Sequence, residues 1–163
     1  MISETVVKTD AQGEYTITGL PDGDVMAYVY TGDNPSFFNR ASKRVRLKGG
    51  QEFRVEPLAL GRIIAPVTPR PGAKNVSLSN STVSFAWEPI DGAEKYRFVI
   101  REPGSGKNVF SSENMKPEAK VSANALRAGA SYEAQVTATN ARGEFIGGTA
   151  GDGGTAWTFR TVR

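Results

Sequence analysis

The sequence predicts an all-β chain of two tandem antiparallel β-sandwiches, and three observations lead there. Short strand-like runs recur roughly every 8–12 residues, a spacing typical of sandwiches and barrels. The 18 glycines and 9 prolines fall between those runs, not in one low-complexity tract, and almost nothing shows the helical period of about 3.6 residues. The stretch Thr82 to Ile100 then reads as a strand pair. Val83, Phe85 and Trp87 alternate with Ser84, Ala86 and Glu88, and Pro89 stops the ladder because it has no N–H to give. Asp91-Gly92 turns the chain, and Tyr96, Phe98 and Ile100 alternate with Lys95, Arg97 and Val99. Large aromatics on facing strands make the centre of a small core.

Length and composition narrow the function classes. At 163 residues the chain suits one large or two small domains, and the strand pattern favours two, 1–61 and 62–163. Hydrophobic residues are 39% and charged residues 23%, the balance of a globular chain rather than a disordered one. Apolar runs are only a few residues long, so no membrane insertion is expected. Met1-Ile2-Ser3-Glu4 leads straight into a strand pattern with no basic-then-apolar leader. The chain is therefore expected to be either cytosolic or a piece of a longer exported protein. With no cysteine there is no disulfide or thiolate chemistry, and with no histidine the commonest general base and metal ligand is missing.

In chain order, the first predicted strands are Glu4 to Thr9 and Glu14 to Thr18, joined by a turn at Asp10-Ala11-Gln12-Gly13. After the turn Gly19 to Gly23 comes Asp24 to Tyr30. It carries Val25, Ala27 and Val29 on one face and Met26, Tyr28 and Tyr30 on the other, which predicts a strand covered on both sides. Thr31 to Arg40 reads as a loop. Lys43 to Lys48 is the next strand, with Val45 and Leu47 opposite Arg44, Arg46 and Lys48, and Gln51 to Ala59 follows the turn Gly49-Gly50.

The run Thr9-Asp10-Ala11-Gln12-Gly13-Glu14-Tyr15-Thr16-Ile17-Thr18-Gly19-Leu20-Pro21-Asp22-Gly23 resembles the TD-x-x-G-x-Y-x-I-x-G-L-P-x-G signature of carboxypeptidase-regulatory-like domains. The resemblance extends to about Leu60 and implies a transthyretin-like β-sandwich. Members of that family usually begin with further strands ahead of the region matching Glu4. The resemblance therefore implies a first domain lacking its first strands and prone to self-association.

Gly61-Arg62 reads as a short linker, and Ile63 to Val67, with Pro66, Pro69 and Pro71 around it, as an edge strand. Beyond the organising pair, strands are predicted at Asn108 to Ser111, Glu118 to Ala123, Tyr132 to Thr139 and Thr155 to Val162. Trp87, Tyr96 and the L-x-x-G-x-x-Y run from Leu126 to Tyr132 make this half similar to fibronectin type III domains. That resemblance implies a Greek-key, immunoglobulin-like sandwich in which Tyr132 caps a corner by bonding to nearby backbone. Asn140 and Gly143 fit the turn after it. The glycine-rich stretch Gly147 to Gly154 is longer than the family's final hairpin.

Each chemical motif has a plainer reading beside it. Gly104-Ser105-Gly106-Lys107 has the tail of a phosphate loop, but Arg101 and Asn108 stand where the motif needs Gly and Ser or Thr, so it reads as a hairpin loop. Asp10, Asp22, Asp24 and Asp33 lack the regular spacing of a calcium loop and fit turn chemistry. The glutamate that promotes an isopeptide cross-link in related surface proteins is missing between Val25 and Tyr30. Two sites stay as candidates. Arg44, Arg46 and Lys48 form a basic face, either a solvated surface guarding a sheet edge or a dock for an anionic partner. Gly147, Gly148, Asp152 and Gly153 form either a hairpin tip or a binding loop at one end of the sandwich.

No catalytic residue, cofactor or metal is expected. The sequence reads as a non-catalytic spacer or interaction module of a larger exported or cell-surface protein, which the resemblances imply is bacterial. The alternative is an accessory carbohydrate- or ligand-binding domain attached to an extracellular enzyme. The expected partner is a protein or polysaccharide at the cell surface or in the periplasm. Nucleic acid is not expected, because Arg44, Arg46 and Lys48 have no aromatics interleaved on their own strand.

Overall fold

The computed structural model describes residues 4–31, 34, 36–37, 41–50, 52–149 and 156–163. They fall into two compact units, 1–28 with 42–57 and 29–41 with 58–163. The chain is all-β, its only described helix being a single 3-10 turn at Ala123–Ala125.

In the first unit, β1 (Gly23–Val29) and β2 (Ala41–Leu47) pair as a two-stranded sheet. Alternation decides the faces. Val25 and Ala27 are half-buried and Val45 is buried, whereas Met26 and Tyr28 are each 52% exposed. The strand is therefore covered on one face, not on both as the sequence suggested. Among the described residues, Glu4 to Thr9, Glu14 to Thr18 and the run after Gln51 are not strands either. Alternation creates an amphipathic run, but a ladder also needs a partner strand and a surface to bury against, and Val6 is 81% exposed.

The turn between those two runs does form. Asp10 Oδ1 accepts the N–H groups of Gln12 (2.9 Å) and Glu14 (2.8 Å), and Gly13 takes a φ of 81°. The same five-residue device recurs in the second unit. Asn140 Oδ1 accepts from Arg142 and Glu144, both at 3.0 Å, with Gly143 at a φ of 77°. The left-handed conformation at the fourth position is what glycine supplies without strain.

The second unit contains β3 (Arg62–Ile63), β4 (Pro66–Thr68), β5 (Ala73–Ser77), β6 (Thr82–Trp87), β7 (Lys95–Arg101) and β8 (Asn108–Asn114). It continues with β9 (Glu118–Ser122), β10 (Ser131–Thr139), β11 (Phe145–Gly148) and β12 (Trp157–Val162). One sheet runs β4-β6-β9. In the other, β10 pairs with β7, and β7 with β8; on its far side β10 takes both β11 and β12, which in turn take β3 and β5. All pairings in this unit are antiparallel except β3 with β11 and β5 with β12.

Arg62, expected in a linker, is thus a strand residue, held where the Ile64 N–H donates to the Gly148 carbonyl at 2.7 Å. The predicted edge strand from Ile63 to Val67 divides into β3 and β4, which join different sheets. Strands β5 and β11 were not predicted. Each is only four or five residues long, too short for a strong local pattern, and β5 pairs only with the distant β12.

The sandwich core lies where the two sheets face each other. Phe85 of β6 meets Phe98 of β7 at a ring separation of 5.0 Å and Phe159 of β12 at 5.3 Å. Trp87 stacks on Phe98 at 5.5 Å and meets Tyr96 edge-on at the same distance. Trp157, 1% exposed, donates its indole N–H to the Pro69 carbonyl at 2.7 Å and so ties the β4–β5 connection to the core. The Tyr132 hydroxyl accepts the Arg127 N–H at 2.8 Å, the corner that the sequence resemblance implied. Tyr96 makes a second such bond, accepting the Ile90 N–H at 3.1 Å.

Truncating Trp87 to alanine should cost the second unit about 3–5 kcal/mol, the usual range for a buried aromatic. Tyr132→Phe should cost about 1 kcal/mol, because only the corner hydrogen bond is lost. Chemical denaturation followed by Trp157 fluorescence checks both. A Trp87→Ala protein within about 1 kcal/mol of the parent would place the core elsewhere.

Candidate functional site

Pairing of β1 with β2 gathers residues that the sequence keeps far apart. Arg44 and Arg46 face outward, opposite buried Val45 and half-buried Leu47, and Lys48 follows directly after the strand. On β1 the outward positions are Asp24, Met26 and Tyr28. Asp24 Oδ1 lies 3.9 Å from Arg46 Nε, which puts the two outward rows on one face. The result is a surface of two arginines and a lysine beside an exposed tyrosine and methionine, with one carboxylate at its side. The sequence offered the cations alone, since the aromatic neighbour comes from another strand.

At the start of β1, the Asp22 carboxylate packs against Gly49: a Cβ added there would stand 2.7 Å from Asp22 Oδ1. Glycine at this position lets the β2 turn close beside the Lys48 end of the face. Elsewhere in the unit Lys43 Nζ donates to Glu56 Oε2 at 2.7 Å, and this bond, then the lysine's charge, lowers the Glu56 pKa below the usual carboxylate value. A depressed carboxylate pKa contributes stability above its unfolded value and loses it as pH falls through the folded value. Both partners are exposed, so the contribution is small. Lys43→Met should move the Glu56 pKa upward toward that of an unpaired glutamate, as read by carboxyl-carbon NMR titration.

The second sequence candidate divides. Gly147 and Gly148 are buried strand residues of β11, not loop residues, while Asp152 and Gly153 lie outside the described residues, as does Asp33. A Cβ on Gly147 would fall on the Arg62 carbonyl and the Ile90 Cδ1 atom, so this glycine allows β3 to approach. Gly147→Ala should destabilise the second unit by about 1–3 kcal/mol, because the backbone of β3 cannot yield as a side chain would. Thermal melts against the parent chain test this.

Register shows where the remaining insertion sits. Thr137 pairs with Gly148 and Ala138 with Gly147, yet Tyr132 pairs with Phe159 and Ala134 with Trp157. The two partner numbers sum to 285 in the first pairing and 291 in the second, so six extra residues enter between β11 and β12. Thr149 is the last described residue before them, and its hydroxyl accepts the Val136 N–H at 2.9 Å. The extra residues therefore come after β11 and not in the hairpin tip, which is the Asn140–Glu144 turn.

The remaining motifs are turns. Gly104 to Lys107 close the β7–β8 hairpin, with the Glu102 N–H donating to the Lys107 carbonyl at 3.0 Å and glycines 104 and 106 at positive φ. Among the described residues no three acidic side chains gather as metal ligands would.

No protein-family model and no curated protein matches the chain. Among solved structures it is similar to one titled "Structure of FN3tt mut", with a TM-score of 0.34 and 19% identity over 54% of this chain and 96% of that one. At that score the fold rests on the strand pairing itself.

Proposed function

We propose that the chain is a non-catalytic spacer or interaction module of a larger exported or cell-surface protein. The observation that carries this reading is what the core of the second unit contains. Among the described residues its buried polar side chains are Thr149 and Thr161, and both are spent on backbone: Thr149 on Val136, and Thr161 on the carbonyls of Arg127 and Ala130. Catalysis needs titratable groups that converge in a pocket. The shallow groove along β5 and β6 has Lys74 as its one titratable lining residue. A second groove, at the Asn140 turn, has Glu94 and Lys95 as its titratable lining residues, and Lys95 is ion-paired with Glu113.

The resemblance of Thr9 to Gly23 to carboxypeptidase-regulatory-like domains, and of the second half to fibronectin type III domains, belongs to this proposal. Both kinds of module serve as spacers or docking units in multidomain exported proteins. The accessory-domain alternative draws on one observation, that Tyr28 faces outward on the strand paired with the one carrying Arg44 and Arg46. Trp87 and Trp157, at 2% and 1% exposed, offer no ring to a ligand.

A panel of esterase, glycosidase, peptidase and phosphatase substrates tests the non-catalytic reading. No turnover above a heat-denatured control is expected. Turnover abolished by one substitution in the folded chain would overturn it.

A further inference from the structure

We infer that the outward face of the β1–β2 sheet is a docking surface for a carboxylated, uronic-acid-type polysaccharide. The inference deepens the interaction-module reading and rests on it. Four features of the face argue for such an occupant. Tyr28 and Met26 are large, apolar and half exposed on a sheet face, which ordinary surface composition does not require. A tyrosine ring presents a flat electron-rich face that packs against the C–H side of a sugar ring. Arg44 and Arg46 offer planar forks that bind carboxylates in bidentate fashion, and Lys48 adds a point charge at the end of the row. The Asp24 carboxylate, 61% exposed and 3.9 Å from Arg46, is placed to accept sugar hydroxyls. From Asp24 to Tyr28 the face runs about 13 Å along the strand, long enough for more than one ring.

Charge complementarity decides among anionic polymers. Across residues 1–28 and 42–57 the bases Lys8, Lys43, Arg44, Arg46, Lys48 and Arg54 stand against Glu4, Asp10, Glu14, Asp22, Asp24, Glu52 and Glu56, a formal charge of −1. The cations are thus a local patch on a nearly neutral unit. Such a unit has no broad basic field to gather a polyphosphate, and Asp24 repels the dense charge of nucleic acid. A polysaccharide with sparser carboxylates and many hydroxyls suits the mixture.

Surface plasmon resonance on the full chain tests this, with immobilised polygalacturonate as probe and neutral dextran, dextran sulfate and poly(dT) as comparisons. Saturable binding to polygalacturonate, weakened but not abolished by added salt, is the expected result. Tyr28→Ala and the double variant R44Q/R46Q should each weaken it by about tenfold or more, the loss expected from removing a stacked ring or a charged pair. Tyr28→Phe and the matched charge loss K107Q/K120Q should leave it within about twofold. These side chains are exposed, so the variants should fold, and the salt titration of the parent chain needs no variant.

Three results overturn the inference. One is absence of binding to polygalacturonate. Another is stronger binding to poly(dT), which would make the face a nucleic-acid surface. The third is equal binding to dextran sulfate with Tyr28→Ala unchanged, which would be charge adsorption only. None of these produces turnover, so the non-catalytic reading stands or falls separately.

Discussion

The second unit depends on aromatic rings meeting between its two sheets. Phe85 lies within 5.8 Å of the rings of Phe98, Phe159 and Trp157, so one side chain of β6 touches two strands of the opposite sheet, β7 and β12. A small sandwich has little interior, and a few large rings supply most of the apolar area that offsets the entropy of ordering its chain. The same cluster fixes parts of the structure that have no strong pattern of their own. Trp157 holds the β4–β5 connection through Pro69, and Ile90, bonded to Tyr96, packs where β3 and β11 run together. Only the Trp87 indole N–H stays without a hydrogen-bond partner inside this cluster, a cost the surrounding contacts must outweigh.

Local chemistry and long-range pairing divide what could be read from the sequence. The turns at Asp10 and Asn140 were legible because each needs only an Asx side chain and a glycine three residues later. The strands β6, β7, β10 and β12 were legible because their alternation matches a buried face. In the first unit the turn formed while its flanking runs did not become strands, so turn chemistry does not by itself make a hairpin. Strands β5 and β11 were invisible because both are short and no long alternating run marks them, and β3 was seen only as the start of a longer edge strand, since a two-residue strand has no period.

The candidate site was half legible. Arg44, Arg46 and Lys48 lie on one strand and share a face by simple parity. Tyr28 and Met26 lie across the sheet, and nothing local announces that β1 and β2 are neighbours. The aromatic component judged missing from the basic strand is supplied by its pairing partner. Side-chain neighbourhoods in sheets are built across the ladder as much as along it.

The insertion after β11 has a consequence for how this sandwich tolerates change. Thr149 donates its N–H to the Val136 carbonyl and accepts the Val136 N–H, and Trp157 pairs with Ala134, so β10 holds both flanks. The two flanks are therefore held only two residues apart along β10. Closing a loop between ends already that near depends only weakly on its length, about 0.6 kcal/mol for each doubling. The sheet thus places almost no limit on what is spliced there, and evolution or an engineer can exchange the segment for a longer one, even a small folded domain, while the flanking hydrogen bonds keep their places.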